Sequence, residues 1–252
     1  MNRRSYNFMN WVRRQSRIDV RRRERLVRDL PAVLRTGELF MVFQPMIDLR
    51  NGEIFAYEAL VRSTSVHFSS PTSLFSAAIE SHCCGMLGRV VREIATEACP
   101  DATLFINVHP QELAEGWLVK PDDPVFAHDH PIFLEITEAA PIKDLMSGKS
   151  LIAELRSKSI SLAIDDLGVG YSNLKNIAEL SPDIVKLDRG LVVNLASEPR
   201  MRILVKSLVQ LCDDLGARVV AEGVESEDEA LALTDTGAHF AQGYFYGRPS
   251  PW

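Results

Sequence analysis

The sequence predicts an α/β fold, a (β/α)8 TIM barrel, on three observations. Eight short apolar runs, often β-branched or aromatic, recur between residues 40 and 242. Helix-compatible segments separate most of them, which is the alternation of parallel-strand folds. Most of the runs end in a polar or charged residue, and a barrel of this kind gathers its functional groups where its strands end.

The expected strands are Phe40 to Gln44, Ile54 to Glu58, Leu104 to Asn107, Ile132 to Glu135, Leu162 to Asp165, Ile184 to Lys186, Val219 to Glu222 and His239 to Gln242. Apolar positions from Leu74 to Ala98 fall at helical spacing, and a shorter helix is expected over Ser150 to Ser157. From Met201 to Leu215 the spacing puts Ile203, Leu204, Leu208, Leu211 and Leu215 on one face, before a stop at Gly216. The last helix opens at Ser226, an N-cap serine followed by Glu227, Asp228 and Glu229, and ends near Gly237.

The chain has 252 residues, 46% hydrophobic and 25% charged, which suits one barrel-sized globular domain over residues 31–252. No apolar run is long enough to span a membrane, and the N-terminus lacks the apolar stretch of a signal peptide, so a cytoplasmic protein is expected. Cys83, Cys84, Cys99 and Cys212 form no metal-type spacing and read as small reduced hydrophobes. His128-Asp129-His130 lies between prolines in a polar stretch and reads as a solvated loop. Residues 1–30 hold ten arginines against Asp19, Glu24 and Asp29, a local +7, so the rest carries -13 to reach the chain's -6. That extension is expected to be helical. Phe8, Trp11 and Val12 among its arginines offer contact with an anionic membrane surface or nucleic acid, beside the alternative of a solvated arm.

A barrel this acidic repels phosphate unless bound cations reverse the local field. Glu58, Asn107, Glu135, Asp165, Asp166, Lys186, Glu222 and Gln242 all stand at expected strand ends. Several carboxylates at one mouth raise one another's pKa, and bound metal resolves the conflict. Oxygen donors without His or Cys select hard cations, Mg2+ or Mn2+, with Ca2+ as a non-productive, inhibitory occupant. Asp165 and Asp166 can bridge two ions, the recurrent apparatus for displacement at phosphorus. The chemistry expected is phosphodiester hydrolysis by metal-activated water.

Several segments carry a family resemblance. Tyr57 to Arg62 reads Y-E-A-L-V-R, Phe105 to Val108 reads F-I-N-V, and Leu134 to Glu138 reads L-E-I-T-E. Asp165 to Ser172 reads D-D-L-G-V-G-Y-S, Ile184 to Arg189 reads I-V-K-L-D-R, and Ala221 to Glu225 reads A-E-G-V-E. Gln242-Gly243-Tyr244 and Gly247-Arg248-Pro249 close the series. In this order the chain resembles the EAL-domain family from about residue 31 to 252. The resemblance implies a modified TIM barrel that hydrolyses cyclic di-GMP to linear pGpG. It implies Glu58, Asn107, Glu135 and Asp165 as ligands of a first metal, with Asp165 shared and Asp166 on a second. Glu222 and Lys186 would hold or deprotonate the attacking water, and Gln242 would support the site. Gln44, Arg62 and Asp188 would contact substrate, and Glu138 would steady the 165–172 loop. The resemblance also implies a homodimer, and a separate sensor or regulatory protein is expected to supply the input signal.

The chain departs from the family pattern at three places. Leu167 and Val169 stand where the family has Phe and Thr; Ser63 follows Arg62 in place of Trp; and His109 takes the place of a serine, where a surface histidine is the ordinary expectation. Glu225 reads as a helix-start carboxylate in preference to a mouth residue. None of these changes removes an implied ligand, which favours an active enzyme over a silent cyclic di-GMP receptor or an interaction module.

Overall fold

In the computed structural model the described residues are 27, 29–34, 37–68, 70–137, 149–168 and 174–252. Eight strands close into a barrel in sequence order. They are β1 Leu39–Asp48, β2 Ile54–Ser63, β3 Leu104–Asn107, β4 Ile132–Thr137, β5 Ser161–Leu167, β6 Ile184–Leu187, β7 Arg218–Ala221 and β8 Phe240–Gln242. Neighbours from β2 to β8 run parallel. The first strand does not: β1 is antiparallel to both β2 and β8, which corrects the expectation of parallel strands throughout. The reason is chain length, because residues 49–53 make only a hairpin and a parallel return needs a crossover of a dozen or more residues.

The helices follow as α1 Pro71–Glu80, α2 Cys84–Ala98, α3 Pro110–Glu115, α4 Lys149–Ser157, α5 Leu174–Leu180, the short α6 Arg189–Val192, α7 Pro199–Asp214 and α8 Glu227–Thr234. The expected helix from Leu74 to Ala98 is thus two, broken where His82 takes a left-handed φ of 53°. Ser70 caps α1 with a reciprocal Ser73 contact, and Ser226 caps α8 as its sequence predicts. On α7 the expected face is only partly right: of its residues Leu208 packs against the core and Leu211 is half-buried. Val205, Val209 and Cys212 are buried, whereas Ile203, Leu204 and Leu215 are exposed, because apolar residues cover more of this helix than one stripe can use. Leu30, placed in the extension by its sequence, is buried in the core, so the packed domain starts before residue 31.

Two apolar clusters hold the barrel. One fills the space between the sheet and its helices. The other plugs the barrel itself, with Met46, Ala56, Phe105, Phe133, Ala163, Ile184, Val220 and Phe240 packed around Phe55. Phe55 stacks on Phe240 with centroids 3.9 Å apart, and Phe105 on Phe133 at 4.4 Å. Each such stack adds roughly 0.5–1.5 kcal/mol beyond its buried area. This floor leaves only the upper end of the barrel open to chemistry.

Candidate active site

Side chains on one face of a strand recur every second residue, and that period places the polar groups. Two residues beyond each plug residue, and on the same inward face, stands a polar one. Ala56 leads to Glu58, Phe105 to Asn107, Phe133 to Glu135, Ala163 to Asp165, Ile184 to Lys186, Val220 to Glu222 and Phe240 to Gln242. On the reversed β1 the step runs backward, from Met46 to Gln44, and the register sets Gln44 opposite Glu58. Asp166 breaks the period by one. It reaches the mouth because its φ is 64° and the β5–β6 register shifts between Ile164 and Leu167. Carboxylate oxygens of Asp165, Asp166 and Glu222 consequently lie within 4.8 Å of one another.

Lys186 is the centre of the arrangement. Its Nζ lies 2.7 Å from Glu135 Oε1 and 2.7 Å from Glu222 Oε1, with Asp165 Oδ1 at 3.4 Å and Glu58 Oε2 at 3.5 Å. Amides complete the floor. Asn107 Nδ2 donates to Glu58 Oε1 at 3.2 Å, and Gln242 Nε2 donates to Glu58 Oε2 at 2.6 Å and to Gln44 Oε1 at 3.2 Å. Burial opposes the Lys186 ammonium, but Glu135, Glu222, Glu58 and Asp165 outweigh it and hold the group well above 10.5. Burial also raises Glu58, yet Lys186 and the two amides prevail and lower it. Glu135 is raised well above 4.5 by burial, with Glu58 and Asp165 adding to the shift against Lys186. Glu222 is pushed up to about 8, again by burial first and by Asp165 and Glu58 next. Asp166 is raised by burial and by Asp165.

Five carboxylates facing one ammonium leave four uncompensated negative charges if all ionise. Two further signs bear on a cation. Glu135 Oε2 is buried with no hydrogen-bond partner among the described residues, and so is Gln242 Oε1. The donors are all oxygen, the preference of hard divalent ions. The residues present therefore fit divalent metal, with the Asp165, Asp166 and Glu222 group as one station and Glu58, Asn107 and Glu135 beside it.

The remaining candidates lie on the rim. Gln44 donates to the Gly247 carbonyl at 3.1 Å as well as accepting from Gln242. Asp188 caps α6 by accepting from Gly190 N at 2.7 Å. Arg62, whose guanidinium touches the Val61 carbonyl at 2.9 Å, borders a cavity of about 320 Å3. A second cavity of about 370 Å3 opens between Gln44, Arg189, Glu225, Gln242 and Tyr244. There Glu225 pairs with Arg189 as a mouth residue, which corrects its reading as a helix-start carboxylate alone. His109 is half-buried and lines the first cavity, so it is not a surface histidine. Arg189, which closes the I-V-K-L-D-R segment, is not among the expected site residues, because nothing in its spacing shows that the fold brings Glu225 beside it. His128 and His130 lie in a loop as expected, His128 Nε2 contacting the Ala102 carbonyl at 2.9 Å. Glu138, Val169 and the loop to Ser172 lie outside the described residues. No helix among those residues is long and apolar enough to cross a membrane.

Comparison with known proteins bears on this mouth. The family model for the EAL domain matches residues 27–249. The cyclic di-GMP phosphodiesterase RocR of Pseudomonas aeruginosa is 30% identical over 246 residues, which cover 89% of this chain and 62% of that protein. The probable cyclic di-GMP phosphodiesterase PdeD of Escherichia coli is 30% identical over 238 residues, 89% of this chain and 44% of that protein. A solved complex of the PaMucR phosphodiesterase with c-di-GMP superposes with a TM-score of 0.77 at 27% identity, covering 90% of this chain and 98% of the other. A manganese and cyclic di-GMP complex of Klebsiella pneumoniae BlrP1 gives 0.73 at 29% identity, covering 86% and 57%. The chain spans less than two thirds of the length of the curated relatives it matches.

Proposed function

The chain belongs to the EAL domain family, and from that premise we propose that it is a metal-dependent phosphodiesterase hydrolysing cyclic di-GMP to linear pGpG. One observation carries the reading: four carboxylates, Glu58, Glu135, Asp165 and Glu222, converge on a fully buried Lys186 at the open end of the barrel, with Asp166 beside Asp165 and Glu222. Relatives at 30% identity are named a cyclic di-GMP phosphodiesterase and a probable cyclic di-GMP phosphodiesterase, which supports the substrate.

In this reading Glu58, Asn107, Glu135, Asp165 and Asp166 would hold the divalent metal. Bound Mg2+ or Mn2+ supplies charge neutralisation at the phosphate and a water acidic enough to attack it. Glu222 and Lys186, 2.7 Å apart and beside the Asp165-Asp166 pair, would hold that water; Lys186 is already an ammonium, so Glu222 is the group placed to take up its proton. Gln242 fixes Glu58 through its 2.6 Å hydrogen bond, and Gln44 fixes Gln242 in turn. Arg62 forks onto a phosphate, and Asp188 accepts from a guanine edge. The apolar plug of Phe55, Phe105, Phe133 and Phe240 closes the barrel beneath the reacting groups, so water reaches them only from the mouth.

The reading extends to a cytoplasmic homodimer that takes its signal from a separate sensor or regulatory protein. The exposed Ile203 and Leu204 on α7, with Leu215 just past its end, support an apolar contact between copies, and light scattering tests it. Function itself is tested by incubating the purified chain with cyclic di-GMP and Mg2+ or Mn2+ and separating nucleotides by chromatography. Linear pGpG is expected. Tight binding without pGpG would replace the enzyme with a cyclic di-GMP receptor.

A further inference from the structure

His109 stands two residues beyond Asn107 and caps α3. Its Nδ1 accepts from the Gln111 backbone N–H at 3.2 Å, and its own backbone N–H donates to Glu112 Oε1 at 3.0 Å. Glu112 is held in turn by Arg92 at 2.8 Å, and Arg92 by Asp123 at 2.9 Å, all three side chains being fully buried. The ring is held at Nδ1 by the Gln111 N–H, and the backbone that carries it is anchored to the buried ionic chain through Glu112. A backbone N–H can only donate, so Nδ1 presents its lone pair and the ring hydrogen sits on Nε2. Among the described residues no protein group pairs with that Nε2.

The cavity that His109 lines has walls of Val61, Pro71, Phe75 and Val91, with Arg62 and Asn107 at its polar margin. Apolar walls of this kind suit a flat base, while the margin adjoins the candidate phosphate contact and a candidate metal ligand. A fixed N–H on such a wall is placed to donate to an acceptor on a bound ligand. Guanine presents two on one edge, N7 and O6, whereas adenine sets an N6 donor beside its N7. We infer that His109 is a specificity-determining residue whose Nε2–H reads the N7/O6 edge of a guanine base, an inference that rests on the reading of cyclic di-GMP as this site's ligand.

The test is titration calorimetry on the full chain with Ca2+ and cyclic dinucleotides, comparing wild type with His109→Asn and His109→Ser. Both replacements keep an N-cap acceptor and remove Nε2. The expected result is about tenfold weaker binding of cyclic di-GMP, equivalent to about 1.4 kcal/mol, with thermal midpoints within about 2 °C of wild type. Cyclic di-IMP, which keeps N7 and O6, should lose the same factor, and cyclic di-AMP should lose little. Unchanged affinity for cyclic di-GMP overturns the inference. An equal loss for cyclic di-AMP overturns it too, since adenine shares N7 but lacks O6, so the contact would then lie on N7, phosphate or ribose and would not select guanine. A midpoint drop shared by both variants would reduce His109 to a helix cap. If wild type binds cyclic di-GMP but forms no pGpG with Mg2+ or Mn2+, the phosphodiesterase reading fails while the comparison of variants still decides the role of His109. If wild type does not bind it, both fail.

Discussion

Lys186 Nζ lies 2.7 Å from Glu135 Oε1, and both side chains are shut off from solvent. This ion pair is the only one in the mouth in which both partners are completely buried, among the described residues. Removing one partner of a buried pair costs about 3–5 kcal/mol, because the other charge remains uncompensated. In Lys186→Met five carboxylates face one another with no cation of the chain's own. The expected outcome is a thermal midpoint about 10 °C below wild type in chelator, since 1 kcal/mol shifts a domain of this size by about 2–4 °C. Added Mn2+ should recover part of that loss, and turnover should be absent. Equal midpoints for the two proteins in chelator would show that Lys186 does not balance the cluster.

Glu58 receives hydrogen bonds from both Asn107 and Gln242, and Asp165 shares its station with Asp166 and Glu222. Deleting either carboxylate removes a proposed ligand and loosens the groups around it. Glu58→Ala and Asp165→Ala are each expected to lower turnover of cyclic di-GMP by roughly 10³-fold or more, as does chelation of wild type. Ca2+ should bind without comparable turnover, because its looser coordination places the water less well. Chromatography of the products decides it, and wild-type-like hydrolysis by either variant removes that residue from the ligand set.

Much of this mouth was legible because two signals coincide. A strand of period two puts Phe105 and Asn107, or Phe133 and Glu135, on one inward face, and the sequence shows each apolar residue followed two places on by its polar partner. The reversal of β1 was less visible, since Phe40 to Gln44 reads the same in either direction and only the shortness of residues 49–53 hints at a hairpin. The buried face of α7 was misread in part because Ile203, Leu204 and Leu215 are as apolar as Val205, Val209 and Cys212, and only the packed sheet distinguishes them. Arg92 is the least legible of all. An arginine in an amphipathic helix reads as solvated, yet this one is wholly buried between Glu112 and Asp123, residues 20 and 31 positions away.

That triad has a pH signature. Burial raises Glu112 from 4.5 to about 6 against the pull of Arg92. A carboxyl with a raised folded pKa binds its proton more tightly when folded, so its contribution to stability falls as pH rises from 4.5 through 6. Glu112→Gln removes the titration and keeps an acceptor for His109 N and Arg92. Relative to wild type, the variant should therefore gain about 1 kcal/mol between pH 5 and pH 7. Urea unfolding at the two values measures it. A difference between the proteins that stays flat with pH would mean that Glu112 titrates normally in the fold.

Gly243 follows Gln242 directly, and a Cβ there would meet Val224 O at 2.0 Å and Val224 N at 2.3 Å. Both are backbone atoms of the segment just after Glu222, tied to β8 by the hydrogen bond from Val224 N to Gln242 O at 3.0 Å. Neither can swing aside as a side chain would. In Gly243→Ala the two segments must part, carrying Gln242 away from Glu58 and Glu222 away from Lys186. Overpacking of this kind costs about 1–3 kcal/mol, or roughly 2–10 °C in midpoint, and turnover should fall with it. Gly216→Ala provides the contrast: its φ of 83° strains an alanine, but nothing stands within 4 Å of the added carbon and the site is remote. That variant should lose about 1 kcal/mol of stability and keep its turnover. Equal activity losses in the two variants would show that the close approach at Gly243 is not what holds Gln242 and Glu222 in register.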